Sequence, residues 1–164
     1  MRLKLMRSAC VAAVLASTQV PVDAQINPAR QKLEGVWLVT VTRVNPPAGT
    51  APTFASLMTY LDGGGYVETS STGRTNRGPA FGEWIRTGNR QFTITQYFFR
   101  FGANEQFIGI SKIVRKIVLS EDGTEFRGVA VQDQYDAMGN LTVSGLRTTE
   151  VGRRVDLGEI ADEP

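Results

Sequence analysis

The sequence predicts an all-β fold: an eight-stranded antiparallel up-and-down barrel with a short N-terminal helix. Three observations point there. After Glu34, runs rich in Val, Ile, Thr, Phe and Tyr are broken by turns built from Gly, Asn and Asp, the pattern of successive hairpins. Most of those turns are so short that consecutive strands must be antiparallel neighbours. Eight such strands in sequence close most simply on themselves, which removes exposed edges. A two-sheet sandwich competes. It needs longer crossovers, and only segments 44–53 and 72–80 are long enough to supply them.

The first 24 residues fall outside this fold. Arg2, Lys4 and Arg7 precede the apolar run Ala9 to Ala16, and Val22-Asp23-Ala24 places small residues at the −3 and −1 positions of a cleavage site. This is the pattern of a secretory signal peptide. The run is too short to span a bilayer, which takes ~20 residues. Cys10 lies inside the run and does not end it, so no lipid anchor is expected. The expected organisation is a signal peptide at 1–24, a barrel domain at 25–156 and a disordered acidic tail at 157–164, in a secreted or periplasmic protein.

Asn27 to Leu33 opens the mature chain as a short helix, with Asn27 as N-cap and Pro28 at the first helical position. Strands are expected at 35–43, 54–62, 65–71, 81–87, 90–101, 106–120, 125–136 and 141–151. The turns between them include Gly63-Gly64-Gly65, Thr87-Gly88-Asn89, Gly102-Ala103-Asn104, Glu121-Asp122-Gly123 and Ala137-Met138-Gly139-Asn140. The triple glycine is not followed by a helix bearing Lys-Ser/Thr, so it reads as a turn and not a phosphate loop. Asp133 to Asn140 lacks calcium-loop spacing and reads as a hairpin.

Composition removes several function classes. The chain has no histidine and one cysteine, which excludes Ser-His-Asp and Cys-His catalysis and histidine-ligated zinc, iron or haem. No cofactor or metal is expected. The precursor carries 18 Lys+Arg against 16 Asp+Glu. Cleavage after Ala24 removes Arg2, Lys4 and Arg7 but only Asp23 and leaves a neutral chain also free of cysteine. A neutral chain without a basic stripe does not suit nucleic acid.

Hairpin geometry assigns faces, because residues paired across a turn share one, and a slip of one residue reverses it. The turns pair Ile85 with Phe92, Glu83 with Ile94, Gln96 with Ser111, Phe98 with Gly109, Arg115 with Ala130, Leu119 with Phe126, Ala130 with Arg147 and Gln132 with Gly145. The face carrying Phe81, Glu83, Ile85, Phe92, Ile94, Gln96, Phe98, Ile117, Leu119 and Phe126 becomes the interior. The other face places Lys112 opposite Asp133 and Arg127 opposite Glu150, as suits a solvated surface. It also carries Trp84, Tyr97, Phe99, Ile110, Val129, Val131 and Tyr135. That apolar patch implies a homo-oligomer interface, or else an inverted register over part of the sheet.

The interior then contains Glu83, Gln96, Arg115, Gln132 and Arg147, with Phe98 beside them. A buried arginine demands a partner. One reading is an apolar cavity with an arginine-lined polar end that holds a carboxylate head group. The other is a closed network in which Glu83 pairs with Arg115 or Arg147 and the glutamines complete it.

Gly35-Val36-Trp37, opening the first strand directly after the short helix, resembles the first signature of the lipocalin and wider calycin barrels. The resemblance implies that Trp37 sits at the closed end of the barrel, with an arginine from the end of the last strand, Arg153 or Arg154, packed over it. Gly35, Trp37 and Arg153 form the expected structural signature. The strand pattern resembles the family over the whole mature chain, although no helix follows the last strand. The resemblance implies an exported barrel that binds a small apolar or amphipathic molecule, with Glu83, Gln96, Phe98, Arg115, Gln132 and Arg147 as candidate ligand contacts. Two alternatives stand beside it. One is a cavity-templated cyclase or isomerase on a barrel similar to allene oxide cyclase, in which Glu83 is the interior acid. The other is an envelope interaction protein that uses the aromatic outer face and binds no ligand.

Overall fold

The computed structural model describes residues 32–72 and 76–155. The expected signal peptide and acidic tail lie outside these residues, as does most of the segment expected to be helical. Lys32 and Leu33, the part of that segment that is described, are not helical. Eight antiparallel strands close into a barrel in sequence order: β1 (Gly35–Arg43), β2 (Thr53–Tyr60), β3 (Gly65–Ser70), β4 (Arg77–Gly88), β5 (Gln91–Phe101), β6 (Phe107–Leu119), β7 (Glu125–Asp136) and β8 (Leu141–Arg154). Closure is made by β1 against β8, from Trp37 opposite Arg154 to Arg43 opposite Thr148. Among the described residues no helix is long and apolar enough to cross a membrane.

The strands stand where their alternation places them, but two hairpins differ in register from the expectation, and each difference turns a strand over. In the β4–β5 hairpin the turn residues are Asn89 and Arg90, and a bulge at Thr87 makes Arg86 the partner of Phe92. Trp84 therefore faces inward, against Phe92 and Tyr60, and its indole N–H donates to the Leu61 carbonyl at 3.1 Å. Phe81, Glu83 and Ile85 face outward and are exposed. This orientation buries a tryptophan, the larger apolar surface. It also brings Gly82 against β5, where an added Cβ would lie 2.1 Å from the Thr95 carbonyl oxygen.

In the β7–β8 hairpin the shift comes from Asp133. Its carboxylate accepts from the Ser144 hydroxyl and the Gly145 N–H, both at 3.0 Å. Gly145 adopts φ +76°, a conformation natural to glycine. The resulting bulge between Gln132 and Gln134 makes Thr148, not Arg147, the partner of Ala130. Glu150 then pairs with Gly128 and points inward, while Arg147 points outward. The β5–β6 register differs from the expectation by two residues, so its faces are kept: Gln96 pairs with Ile113 and Phe98 with Ser111. The β6–β7 register is as expected.

The interior is layered from a dry end to a wet one. Leu33, Trp37, Tyr60, Phe92, Leu119 and Phe126 fill the closed end, with Trp84 packed against them. Val39, Met58, Tyr66, Ile94 and Ile117 form the next layer. Above these the buried side chains become polar: Ser56, Glu68, Gln96, Arg115 and Glu150.

Candidate functional site

The closed end contains the geometry expected of Gly-x-Trp, with one change. Arg154, not Arg153, covers Trp37, its guanidinium carbon 4.4 Å from the ring centroid. It donates to the Glu34 and Lys32 carbonyls at 2.5 and 2.6 Å and to the Gly123 carbonyl at 3.0 Å, so it ties the chain entering β1 to the β6–β7 turn. Arg153 alternates outward and meets Glu125 at the surface, 3.2 Å away. Gly35 has φ +124°, and a Cβ there would sit 2.8 Å from Arg154 Nη1. Substituting Gly35 by alanine is therefore expected to cost more than about 1 kcal/mol. The loss is read as a lower urea midpoint with altered Trp37 emission.

The centre of the barrel is an ion cluster. Arg115, 2% exposed, lies between two buried carboxylates. Its Nη2 is 3.6 Å from Glu68 Oε2 and its Nε is 3.5 Å from Glu150 Oε2. Arg115 also donates to the Tyr66 hydroxyl. Glu68 accepts from Ser56 at 2.9 Å and from the Gln96 amide. Arg77 approaches it from above, 3.5 Å away.

The two carboxylates differ in electrostatic environment. Burial alone would raise Glu68, but Arg115 and Arg77, with hydrogen bonds from Gln96 and Ser56, hold it below the ordinary carboxylate range. Burial dominates at Glu150. Arg115 opposes that effect only in part and Glu68 adds to it, so Glu150 is raised. Burial likewise keeps the Tyr66 hydroxyl protonated, with its pKa well above ordinary.

The sign of the pH dependence follows. Glu68, depressed in the fold, contributes stability that is present above the unfolded value of about 4.3 and is lost as pH falls through its folded value. Glu150, raised in the fold, contributes stability that is full below about 4.3 and is lost as pH rises through its folded value. The urea midpoint is expected to pass through a maximum in mild acid, with Glu150→Gln removing the decline on the alkaline side.

Above the cluster the barrel opens into a cavity of about 420 Å³. Phe98, Ser111 and Gln132 line it together with Arg77. Phe54, Ile108 and Leu146 contribute apolar wall, and Arg43, Arg100 and Arg147 are also in the lining. Gln132 donates to the Ser111 hydroxyl at 3.0 Å. Two guanidiniums lie flat on the aromatic wall, Arg77 over Phe98 at 4.0 Å and Arg43 over Phe54 at 4.4 Å. No described residue of the lining is acidic.

The expected site residues thus separate into three places. Phe98 and Gln132 line the cavity, and Arg147 is an exposed residue in its lining. Gln96 and Arg115 belong to the buried cluster beneath. Glu83 lies on the outer surface and pairs with Thr95, so it is not the interior acid. The acids inside are Glu68 and Glu150, the latter expected opposite Arg127 on the surface. Glu68 had a signal in the sequence, since strict alternation from Tyr66 puts it on the same face of β3. Among the described residues no group of three or more Asp, Glu, His or Cys is placed to hold a metal ion.

No protein-family model matches the chain, and neither does any curated protein or solved structure.

Proposed function

We propose that the chain is an exported, lipocalin-like binding barrel that takes a small amphipathic molecule at its open end, apolar part along Phe54, Phe98 and Leu146 and acidic head toward the arginines. The observation that carries this reading is the cavity of about 420 Å³, lined by four arginines and no described acid. It falls within the range of about 300–1,000 Å³ usual for small-molecule sites. A closed network lies beneath the cavity and does not fill it, but its carboxylates are Glu68 and Glu150 and not Glu83. Gly35, Trp37 and Arg154 support the family likeness, and the N-terminal sequence supports export. Native mass spectrometry of the purified protein with dodecanoate tests the reading. One bound molecule per barrel is expected, and a chain that takes up neither dodecanoate nor any co-purified amphiphile would refute it.

The outer face favours a second, compatible reading as a homo-oligomer. Phe81, Tyr97 and Phe99 are 59%, 48% and 57% exposed. Phe81 pairs with Tyr97, and Phe99 with Ile110. Phe107 packs edge-on against Phe99, and Val129 and Val131 continue the patch on β7. We infer that a second copy covers it. Lys112 pairs with Asp133 within the patch, so a two-fold axis passing between them would set each charge against its opposite in the other copy. Light scattering should give a dimer mass that Tyr97→Lys reduces to a monomer. A monomeric wild type at high concentration would exclude this interface.

A further inference from the structure

The arginines of the mouth differ in what already neutralises them, and that difference bears on the ligand's charge. At the floor, Arg77 and Arg115 face Glu68 and Glu150, two cations against two carboxyls. The other three have no such partner. Arg43 donates to the Ala51 carbonyl and lies on Phe54. The Arg100 and Arg147 side chains make no hydrogen bond or ion pair with a described residue, and of the two only Arg100 alternates inward. Arg100 is also the direct cross-strand partner of Arg77. Like charges placed opposite one another across a ladder repel, and they do so more strongly where a cavity wall excludes water.

Resting on the binding reading above, we propose that the ligand's head is a dianion of the phosphate-monoester class and not a single carboxylate. A carboxylate brings one charge to two inward, uncompensated guanidiniums, Arg43 and Arg100. A phosphate monoester brings about −1.5 to −2 at neutral pH, with three strong acceptor oxygens. Planar guanidinium forks match such oxygens in pairs. A head seated against Arg100 and Arg43, which both line the cavity, also relieves the Arg77–Arg100 repulsion, which one carboxylate answers only in part. The aromatic and aliphatic wall (Phe54, Phe98, Ile108, Leu146) then receives the apolar substituent of the ester.

Isothermal titration calorimetry with dodecyl phosphate, dodecanoate, dodecanol and inorganic phosphate, each below its micelle concentration, tests this. Dodecyl phosphate is expected to bind at least tenfold more tightly than dodecanoate, with dodecanol and inorganic phosphate each weaker than dodecyl phosphate. The advantage over dodecanoate should shrink below about pH 6, where the second phosphate charge is lost. It should also shrink in Arg100→Gln, a variant checked for an unchanged circular dichroism spectrum. Equal affinity for dodecyl phosphate and dodecanoate would overturn the dianion inference and leave the binding barrel standing. Inorganic phosphate binding as tightly as dodecyl phosphate would overturn the amphipathic ligand in favour of a bare anion site. No binding by any of the four would overturn both.

Discussion

Replacing Arg115 by methionine is expected to destabilise the barrel by about 3–5 kcal/mol, enough to unfold a marginal domain. Arg115 touches both buried carboxylates and the Tyr66 hydroxyl. Its removal leaves Glu68 with only Arg77 as a cation and Glu150 with none, in a layer closed to water. The size of the effect comes from the stranded acids more than from the ion pairs themselves, because an intact buried pair repays little beyond its desolvation. A triple variant, Glu68→Gln, Arg115→Met and Glu150→Gln, should therefore be more stable than Arg115→Met alone. Urea denaturation followed by tryptophan emission measures both. If the triple variant were no more stable than the single one, packing by the Arg115 stem, and not charge, would be what the cluster provides.

Neutralising the mouth should have the opposite profile. The variant Arg43→Gln, Arg100→Gln is expected to lose about ten- to a hundredfold in affinity for an acidic amphiphile, since one hydrogen bond to a charged group is worth about 1.5–3 kcal/mol. Its stability should hold or rise slightly. Both side chains are partly exposed and have no carboxylate partner among the described residues, and Arg100 stands opposite Arg77. Wild-type binding should weaken with added salt, as screening of solvent-accessible charges requires, while the central cluster is unaffected. Together the two variants separate the arginine that holds the barrel from the arginines that face its opening. Sequence reading alone placed Arg115 and Arg147 in one interior site, on either side of Ala130.

That conflation shows where legibility ended. The eight strands and their order were readable, because β-branched and aromatic runs stop at Gly, Asn and Asp turns. The β6–β7 face was readable because its hairpin closes without a bulge from Gly109 to Leu119. What could not be read was a single extra residue in each of two hairpins. At Thr87 nothing in the residue type announces the bulge. The burial of Trp84 decides it, and that is a tertiary effect. At Asp133 a cue existed in Gly145, since a glycine inside a strand commonly marks a bulge. Each slip moved one acid across the sheet wall: Glu83 out and Glu150 in. The idea of a carboxylate–arginine–glutamine cluster survived with different carboxylates. The arginine-rich mouth draws Arg43, Arg77 and Arg100 from β1, β4 and β5, and their convergence requires the barrel to be closed and its shear known.

The central claim is that an amphipathic anion enters the open end and stops above the ion cluster. The most direct measurement is a titration of the amide-resolved NMR spectrum with dodecanoate. Saturable shifts are expected at Phe98, Ser111, Gln132 and Thr148, with Trp37 and Leu119 at the closed end unmoved. Shifts confined to Tyr97, Phe107 and Tyr135 on the outer face, or no saturable shift anywhere, would contradict it.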